Sequence, residues 1–428
     1  MERSDRTKAG RSDRAKVQRS DRTKVEPSDG TKVQRSDWAG VAFGLGLAAF
    51  GAFQQFKLPP VLPLLLESYH YDRSLAGGLM SVYAAAGLAL SIVFGRWITR
   101  RGVGRPLVFA LAVMAAGNLA GLAAPAEGWV MLGARGLEGL AFTVLAIAGP
   151  VLANRHASER HRPLVIGLTA AWIPTGQIVA GGLAPLLVPS FGWQALWLVG
   201  LGATLVMALC LAGRYGAERR ATPAPAMHAG GRDDQLAGQH LLLIVAGAIF
   251  LFWSGQYFAA MTWMPQYFVE AQGLPLAVAQ LGSLLPVVVL AGFNLITGYL
   301  LGHGLSLAGL LVFALASQAA LWLLMPSLGD AGLGLGVIAL VAYGIGAGIS
   351  PTCLFAVPNR LMGAGPGQAR AFGIIMTGRN VGVLLGPVVL AEAFKLSGSW
   401  SAAAPIFGGA TSVALLLAVF LLVRLRDR

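Results

Sequence analysis

The chain of 428 residues is 56% hydrophobic and only 12% charged, and its formal net charge is +13. Soluble domains carry about 25% charged residues, so this composition excludes an ordinary soluble fold with a water-exposed surface. Repeated apolar stretches of roughly 20 residues instead predict membrane-spanning helices. The 57 glycines agree with this interpretation, because small residues let helix backbones approach closely within a membrane.

Residues 1–37 are polar and repetitive, unlike the rest of the chain. The octapeptides RSDRTKAG, RSDRAKVQ, RSDRTKVE and PSDGTKVQ follow one another from Arg3 to Gln34. Such a tract cannot bury enough apolar area to fold, and it lacks the apolar stretch of a secretory signal. We therefore expect a disordered basic tail over residues 1–37, of which residues 1–36 are dispensable. The alternative is a basic arm that binds anionic lipid headgroups.

From Trp38 onward the chain contains apolar segments that predict twelve transmembrane helices. The longest polar interval, residues 214–238, divides these segments six and six. We therefore expect an N-terminal half over 38–213, a cytoplasmic linker over 214–238 and a C-terminal half over 239–428. The predicted segments span residues 39–64, 74–95, 106–124, 128–152, 164–187, 193–213, 239–268, 276–301, 305–325, 332–357, 371–394 and 402–423.

Basic residues fall mainly on one side of the predicted membrane. If the N-terminus is cytoplasmic, only Arg73 and Lys395 lie on the opposite side. Since positive loops are retained in the cytoplasm, we expect both termini there and a location in the plasma (inner) membrane. The net charge then reflects topology, and we expect no nucleic-acid partner. The basic residues on the cytoplasmic side are Arg96, Arg100, Arg101, Arg105, Arg155, Arg160, Arg162, Arg214, Arg219, Arg220, Arg232, Arg360, Arg370, Arg424, Arg426 and Arg428.

A few charged side chains lie inside the predicted segments, where each costs about 2.5–3.5 kcal/mol on insertion scales and therefore marks a candidate site. Arg135 and Glu138 are three residues apart and share one helix face. Either they pair as a structural link, or Glu138 exchanges a proton that is coupled to transport. Lys57 either extends toward the outer headgroups or contacts substrate. Arg379 and the adjacent Asn380 are candidates for substrate binding or gating, and the alternative is a structural bond between helices.

Aromatic and amide side chains near the middle of the segments complete a candidate substrate site. An apolar wall with a few polar groups is typical of small-molecule sites. Tryptophan and tyrosine also form belts at membrane interfaces, which suits Trp38, Trp129 and Trp400 better than residues in mid-segment. The site candidates are Trp172 and Gln177 in the fifth segment and Trp253, Gln256 and Tyr257 in the seventh.

The stretch GRWITRRGVGR, residues 95–105, resembles the signature loop between helices 2 and 3 of the Major Facilitator Superfamily. Thr99 stands where the family has Asp. The resemblance implies that the loop latches the cytoplasmic ends of the two halves. A loop that only sets membrane orientation would explain the arginines, but not two glycines at this spacing. The matching residues are Gly95, Arg100, Gly102 and Arg105.

The fourth and eleventh segments carry further resemblances to this superfamily. The sequence RGLEG, which begins at Arg135, is similar to its Arg-x-x-Gln-Gly pattern, with Glu138 in place of Gln. Gly373, Gly382 and Gly386 resemble the glycine pattern of its antiporters, and a partial copy lies 206 residues earlier in the fifth segment. These motifs imply the superfamily's all-α integral membrane fold, in which twelve helices form two pseudo-symmetric six-helix halves.

The resemblance and the charges inside the membrane imply a secondary active transporter that works by alternating access. Because cationic candidates outnumber acidic ones, we expect a small polar or anionic organic solute. We expect protons as the coupling ion, and the glycines of the eleventh segment favour export. The alternatives are an uptake permease for small organic anions resembling the cyanate-permease branches, a multidrug extruder, and a receptor or scaffold that does not transport.

Other classes of function have little support in the sequence. No zinc-protease motif, phosphate-binding glycine-lysine loop or nucleophile elbow is present, so we do not expect an enzyme. The two cysteines lie in apolar segments and give no metal-ligand spacing. We expect no cofactor and no metal. The partners are then a small-molecule substrate, protons and the lipid bilayer around a monomer.

Overall fold

The computed structural model describes residues 35–220, 233–329, 332–362 and 368–426. These residues form helices and connecting turns, with no strand among them. Residues 1–34 of the predicted tail and residues 221–232 of the predicted linker lie outside the described residues.

Helices fill both halves of the described chain. The N-terminal half contains α1 (Trp38–Phe56), α2 (Leu62–Tyr69), α3 (Arg73–Arg101), α4 (Gly104–Ala123), α5 (Gly128–His156), α6 (Arg162–Ala170), α7 (Trp172–Phe191) and α8 (Gln194–Arg220). The C-terminal half contains α9 (Asp233–Glu270), α10 (Leu276–Gly302), α11 (Leu307–Gly329), α12 (Leu333–Met362), α13 (Gln368–Ser397) and α14 (Ala403–Arg426).

Eleven helical units of the described chain are long and apolar enough to cross a membrane. One of them joins α1 and α2 through a 3₁₀ turn at Pro59–Val61. The predicted fifth segment instead forms α6 and α7, which meet at Ala171. α7 contains three prolines and Gln177, which reduce its hydropathy, but its 20 residues still extend about 30 Å. That length matches the hydrocarbon core, so α7 supplies the remaining predicted span.

The two halves repeat one close helix contact with an offset of 206 residues. A Cβ atom built on Gly176 of α7 would lie 2.4 Å from the carbonyl oxygen of Ala49 in α1. A Cβ atom on Gly382 of α13 would lie 2.1 Å from the carbonyl oxygen of Leu251 and 2.8 Å from the amide nitrogen of Gly255, both in α9. Gly382 and Gly255 follow Gly176 and Ala49 by 206 residues. The glycines of the fifth and eleventh segments therefore allow α7 to pack on α1 and α13 to pack on α9.

We call the end of the bundle that holds Asp37, His156 and Arg214 the tail side. The Asp37 carboxylate caps α1 by accepting a hydrogen bond from the Gly40 amide at 2.9 Å, and it contacts the Arg214 guanidinium at 2.5 Å. The Asp37 amide donates to the carbonyl oxygen of His156 at 3.0 Å. The bond from Gly40, followed by Arg214, lowers the pKa of Asp37 below its usual value. Asp37 thereby joins the start of α1 to the ends of α5 and α8.

Ser36 also belongs to this packed end, although the sequence places it in the tail. Its hydroxyl lies 2.9 Å from the Ser158 hydroxyl and 3.0 Å from Nδ1 of His161. The Ser158 amide donates to the same oxygen at 2.9 Å. The packed part of the chain therefore includes residues 36 and 37.

α3 and α13 come from different halves, and they pack together at the far side, which we define as the end opposite the tail side. From the far side inward, the facing pairs are Ser74 with Glu392, Gly77 with Pro387, and Gly87 with Asn380. A Cβ atom would lie 2.8 Å from Pro387 if built on Gly77, but 3.8 Å from Asn380 if built on Gly87. Nearer the tail side, a Cβ atom on Gly95 or Gly373 would meet no described atom within 4 Å. The halves are therefore in close contact at the far side, and Gly95 and Gly373 make no such contact nearer the tail side.

Candidate functional site

Three charged side chains with no exposed surface form what we call the N-half ion cluster, which consists of Lys57, Arg135 and Glu138. Lys57 Nζ lies 2.9 Å from one carboxylate oxygen of Glu138, and Arg135 Nη1 lies 2.5 Å from the other. The Tyr83 hydroxyl donates to the second oxygen at 2.7 Å. Glu138 is therefore paired with Arg135, as the spacing suggested, and Lys57 joins the pair.

The proline turn after α1 explains why Arg135 is held so firmly. Pro59 has no N–H group to donate to the carbonyl oxygen of Gln55, four residues earlier in the helix. Arg135 Nη2 donates to that oxygen at 2.9 Å, and Nη1 donates to the carbonyl oxygen of Gln54 at 2.8 Å. Arg135 Nε also donates to the carbonyl oxygen of Leu79 in α3 at 3.2 Å. The guanidinium thus links α1, α3 and α5.

Lys57 lies inside the N-terminal half rather than in the space between the halves. Its ammonium donates to Gln54 Oε1 at 2.7 Å and to Asn118 Oδ1 at 2.6 Å, in addition to its bond with Glu138. The ammonium also lies 4.3 Å from the centre of the Trp197 ring. In this conformation the Lys57 ammonium is therefore fully buried and bonded to side chains of the N-terminal half, and its contact with substrate stays a prediction.

A second group of side chains lies between the two halves, and we call this region the central cleft. The Tyr257 hydroxyl of α9 donates to Gln177 Oε1 of α7 at 2.9 Å. The Trp253 ring stacks on the Tyr257 ring, with 5.2 Å between centroids and 8° between planes. Phe258 of α9 also contacts Phe56 of α1, with 5.6 Å between ring centroids. Three of the predicted site residues, Gln177, Trp253 and Tyr257, are therefore brought together.

Arg379 of α13 borders this cleft and is half-buried. Its Nη1 donates to the Asn380 side-chain oxygen at 3.0 Å, and its guanidinium carbon lies 5.5 Å from the centre of the Phe258 ring. The ring face attracts the cation, and Asn380 supplies the one side-chain oxygen that the guanidinium contacts within the described residues. Among the described residues, no Asp or Glu forms an ion pair with Arg379. The cleft therefore contains a cation with N–H donors available for an anion.

Two further predicted site residues, Gln256 and Trp172, do not share the contacts that join Gln177, Trp253 and Tyr257. Gln256 is buried within the C-terminal half, where its Oε1 accepts hydrogen bonds from Trp322 Nε1 and the Tyr343 hydroxyl, each at 2.7 Å. Trp172 is half-buried and contacts Phe142, with 5.7 Å between ring centroids. Gln256 is therefore not part of the central cleft in this conformation, and Trp172 lies beside an aromatic side chain of α5.

The sequence did not identify three of the residues that form these sites. Tyr83 and Gln54 contribute to the N-half ion cluster, and Phe258 lies beneath Arg379. Tyr83 lies in the largely apolar stretch LMSVYAAAG. Its hydroxyl in the middle of a predicted segment could therefore have marked it as a candidate site residue. Phe258 gave no such signal, because an apolar ring is ordinary in a membrane helix.

The signature-like stretch, residues 95–105, covers the last turns of α3 and the turn into α4. Gly102 has φ of 72°, a left-handed backbone conformation that favours glycine. Arg100 and Arg105 are exposed, and neither forms an ion pair or side-chain hydrogen bond within the described residues. Thr99, which replaces the family's Asp, donates to the carbonyl oxygen of Gly95 within its own helix at 2.9 Å. The latch function of this loop stays a prediction.

Within the described part of the chain, no group of three or more His, Cys, Asp or Glu side chains is arranged to hold a metal ion. The polar side chains within the described membrane-spanning helices are those of the N-half ion cluster, those of the central cleft, and other amide or hydroxyl side chains.

Residues 41–367 match the family model of the Major Facilitator Superfamily. The chain is 28% identical to human monocarboxylate transporter 11 over 368 residues, which cover 82% of this chain and 74% of the relative. It is 27% identical to the cis,cis-muconate transport protein of Acinetobacter baylyi over 133 residues, 31% of this chain and 32% of the relative. The fold is similar to the crystal structure of a mutant nucleoside transporter NupG, with a TM-score of 0.69, 14% identity and coverage of 89% of this chain and 99% of the other.

Proposed function

The chain belongs to the Major Facilitator Superfamily, and we propose that it is a secondary active transporter of small organic carboxylates. Membership confirms the predicted family and the all-α fold of two six-helix halves. It makes the chain a multi-pass membrane transporter of a small molecule and not an enzyme. The substrate class, direction and coupling ion are our proposals.

The carboxylate proposal rests mainly on Arg379. A guanidinium remains protonated, so its cost within the membrane must be offset by an anion or by water. No acidic side chain in the described residues supplies that anion, and the adjacent Asn380 offers an additional amide. A guanidinium can form two parallel hydrogen bonds with one carboxylate. Two relatives are also named for carboxylates, a monocarboxylate and muconate.

The test is substrate binding to purified protein with Arg379→Lys and Arg379→Ala variants. We expect Arg379→Lys to fold but to bind carboxylates about ten- to a hundredfold more weakly, because it loses a charge-assisted bond worth roughly 1.5–3 kcal/mol. Arg379→Ala should lose transport. Arg424→Lys is the matched control, since Arg424 lies near the end of α14 and contacts Phe420. Amides with the shape of the carboxylates should bind the wild type weakly.

Thermal unfolding measured in the same preparations separates binding from structure. Unchanged carboxylate affinity together with a lower unfolding temperature would assign Arg379 a structural function and remove the main support for an anionic substrate. Absence of counterflow in liposomes for every carboxylate and polar solute tested would instead favour a receptor or scaffold.

We propose that protons drive transport through the N-half ion cluster. Lys57 and Arg135 share the single carboxylate of Glu138, so release of one proton from Lys57 would leave a neutral cluster. The double variant Lys57→Met with Glu138→Gln removes one cation and one anion together and keeps the net charge. We expect it to retain counterflow but to lose accumulation driven by a pH gradient. Gradient-driven accumulation equal to that of the wild type would exclude the cluster as the coupling site.

We assign the tail side to the cytoplasm of the plasma (inner) membrane because basic residues are concentrated there. We propose that the conformation described is open to the cytoplasm and that the 95–105 loop latches that side after closure. We further propose that the protein is a monomer and that it exports its substrate, because the glycines of α13 resemble an antiporter pattern. The same glycines also allow close helix packing, which is independent of the direction of transport. Vesicles of both orientations with imposed pH gradients test the direction of transport.

A further inference from the structure

The C-terminal half contains a cavity of about 620 Å³ that is separate from the central cleft. In the described part of the chain, its lining residues all lie between 260 and 403, on α9 to α13, on the turns between them and at the first residue of α14. Because one half alone forms its walls, a rigid-body movement between the halves would leave the cavity intact.

The cavity lies where α10 and α12 separate. From Gly344 toward the tail side the two helices are in close contact, and a Cβ atom on Gly348 would lie 2.6 Å from the carbonyl oxygen of Leu290. A Cβ atom on Gly344 of α12 would lie 2.6 Å from the carbonyl oxygen of Pro286 in α10, which marks the contact. Closer to the far side, a Cβ atom on Gly336 would meet no described atom within 4 Å. The lining runs from Gly332, one residue before α12, to Tyr343 of α12, about 16 Å at the helical rise per residue. The cavity therefore extends along the far-side part of α12.

Aromatic rings form the inner wall of this cavity, and their polar atoms are already bonded. Trp322 Nε1 and the Tyr343 hydroxyl both donate to Gln256 Oε1 at 2.7 Å. Trp263 Nε1 donates to the carbonyl oxygen of Pro387 at 2.9 Å. The wall therefore offers ring surfaces and few free polar groups, which suits an apolar ligand.

The entrance between α10 and α12 is apolar and exposed. Val278 and Leu281 of α10 and Val337 of α12 are 48%, 54% and 43% exposed. In membrane-spanning helices such side chains face hydrocarbon, so the molecule available at the entrance is a lipid chain. An empty apolar cavity forfeits dispersion contacts with its lining, which a chain entering from the bilayer would restore. We propose that this cavity binds one unbranched lipid acyl chain, which enters between α10 and α12.

The same chain supports the closed far side. Trp400 lines the cavity, and its Nε1 donates to Glu270 Oε2 at 3.1 Å. The other oxygen of Glu270 pairs with Arg73 of the N-terminal half at 2.6 Å. Tyr267, also in the wall, packs edge-on against Trp400 with 6.1 Å between ring centroids. An acyl chain against these rings holds Trp400 in the position that orients Glu270 toward Arg73.

Photolabelling tests the site with a fatty acid that carries a diazirine at mid-chain, added to proteoliposomes. We expect adducts enriched on cavity residues such as Met264 and Met325, and loss of that enrichment in Leu281→Trp, which fills the entrance. Leu295→Trp is the matched control, because Leu295 lies on the same helix and is 62% exposed, but does not line the cavity. Val337→Trp obstructs the entrance from α12 and replaces Leu281→Trp if that variant does not fold. Labelling spread evenly over the outer helix surfaces, or unchanged by both entrance variants, would overturn the proposal.

A second experiment measures whether the acyl chain stabilises the contact between the halves at the far side. Spin labels are placed on Ser68→Cys and Ala271→Cys, which are exposed positions in different halves. The exposed Cys210 is replaced by Ser in this background. Adding the fatty acid to delipidated protein should increase the population with the shorter distance, and the entrance variants should not respond. A distance distribution that is unchanged by the fatty acid in the Leu295→Trp control would overturn the link.

Discussion

Arg135 in the N-terminal half and Arg379 in the C-terminal half are the same residue type within the membrane, yet their surroundings differ. Arg135 donates to backbone carbonyls of two neighbouring helices and to Glu138, and it has no exposed surface. Arg379 donates to one amide oxygen and lies over one ring, without an acidic partner among the described residues. The difference shows that two arginines within the membrane can differ completely in their bonding to neighbours, and Arg379 is the one whose N–H groups have few partners among the described residues.

The largest expected effect is the loss of Glu138. Glu138→Gln leaves Lys57 and Arg135 buried without their carboxylate, and removing one partner of such a pair costs about 3–5 kcal/mol. We expect a large drop in the unfolding temperature of the purified protein. Adding Arg135→Gln should restore part of it, because only one buried cation then remains.

Glu67→Gln is the control for that experiment, since Glu67 is an exposed residue of α2. Equal stability of Glu138→Gln and the wild type would show that the cluster does not require the carboxylate. The contrast between Arg135 and Arg379 would then lose its physical basis.

A smaller effect is expected from the glycines that the two halves share. Gly176→Ala and Gly382→Ala each place a methyl group within 2.4 Å of a backbone oxygen, and such overpacking costs roughly 1–3 kcal/mol. Gly373→Ala is the matched control on α13, because its Cβ would meet no described atom within 4 Å. Thermal unfolding should rank Gly382→Ala and Gly176→Ala below both the control and the wild type. A Gly382→Ala variant as stable as Gly373→Ala would contradict the repeated packing.

The cap at Asp37 predicts a modest dependence of stability on pH. Its pKa is lower in the folded state, so the stabilisation is present above the unfolded pKa of about 3.9 and is lost as pH falls through the lower folded value. Asp37→Ala should cost about 1 kcal/mol at neutral pH through loss of the cap. Asp37→Asn should keep most of the cap and flatten the pH dependence below about pH 4. Chemical unfolding at several pH values distinguishes these outcomes.

The smallest effect is expected from the octapeptide repeat. Deletion of residues 1–34 should leave expression and transport nearly unchanged, because the repeat has no apolar face to pack. The deletion keeps Ser36 and Asp37, which contact α5 and α8. Loss of transport with normal membrane insertion would favour the lipid-binding arm.

Much of the architecture was predictable because membrane helices obey local rules. Apolar length sets the spans, and family membership confirms the twelve-segment fold. The pairing of Arg135 with Glu138 was accessible too, since positions three residues apart share a helix face. The break between α6 and α7 at Ala171 was not predicted, because hydropathy summed over a segment does not report where the backbone turns.

The sequence by itself determined which residues are unusual inside the membrane: Lys57, Arg135, Glu138 and Arg379 stand out because charge is costly there. Only the tertiary structure decided what each of them contacts. Lys57 reaches Asn118 and Glu138, which are 61 and 81 residues away along the chain. Within the part of the chain that the structure describes, the Arg379 guanidinium instead contacts the neighbouring Asn380 and the Phe258 ring. Such contacts depend on how helices are placed and rotated against one another, which close packing of side chains and glycines sets.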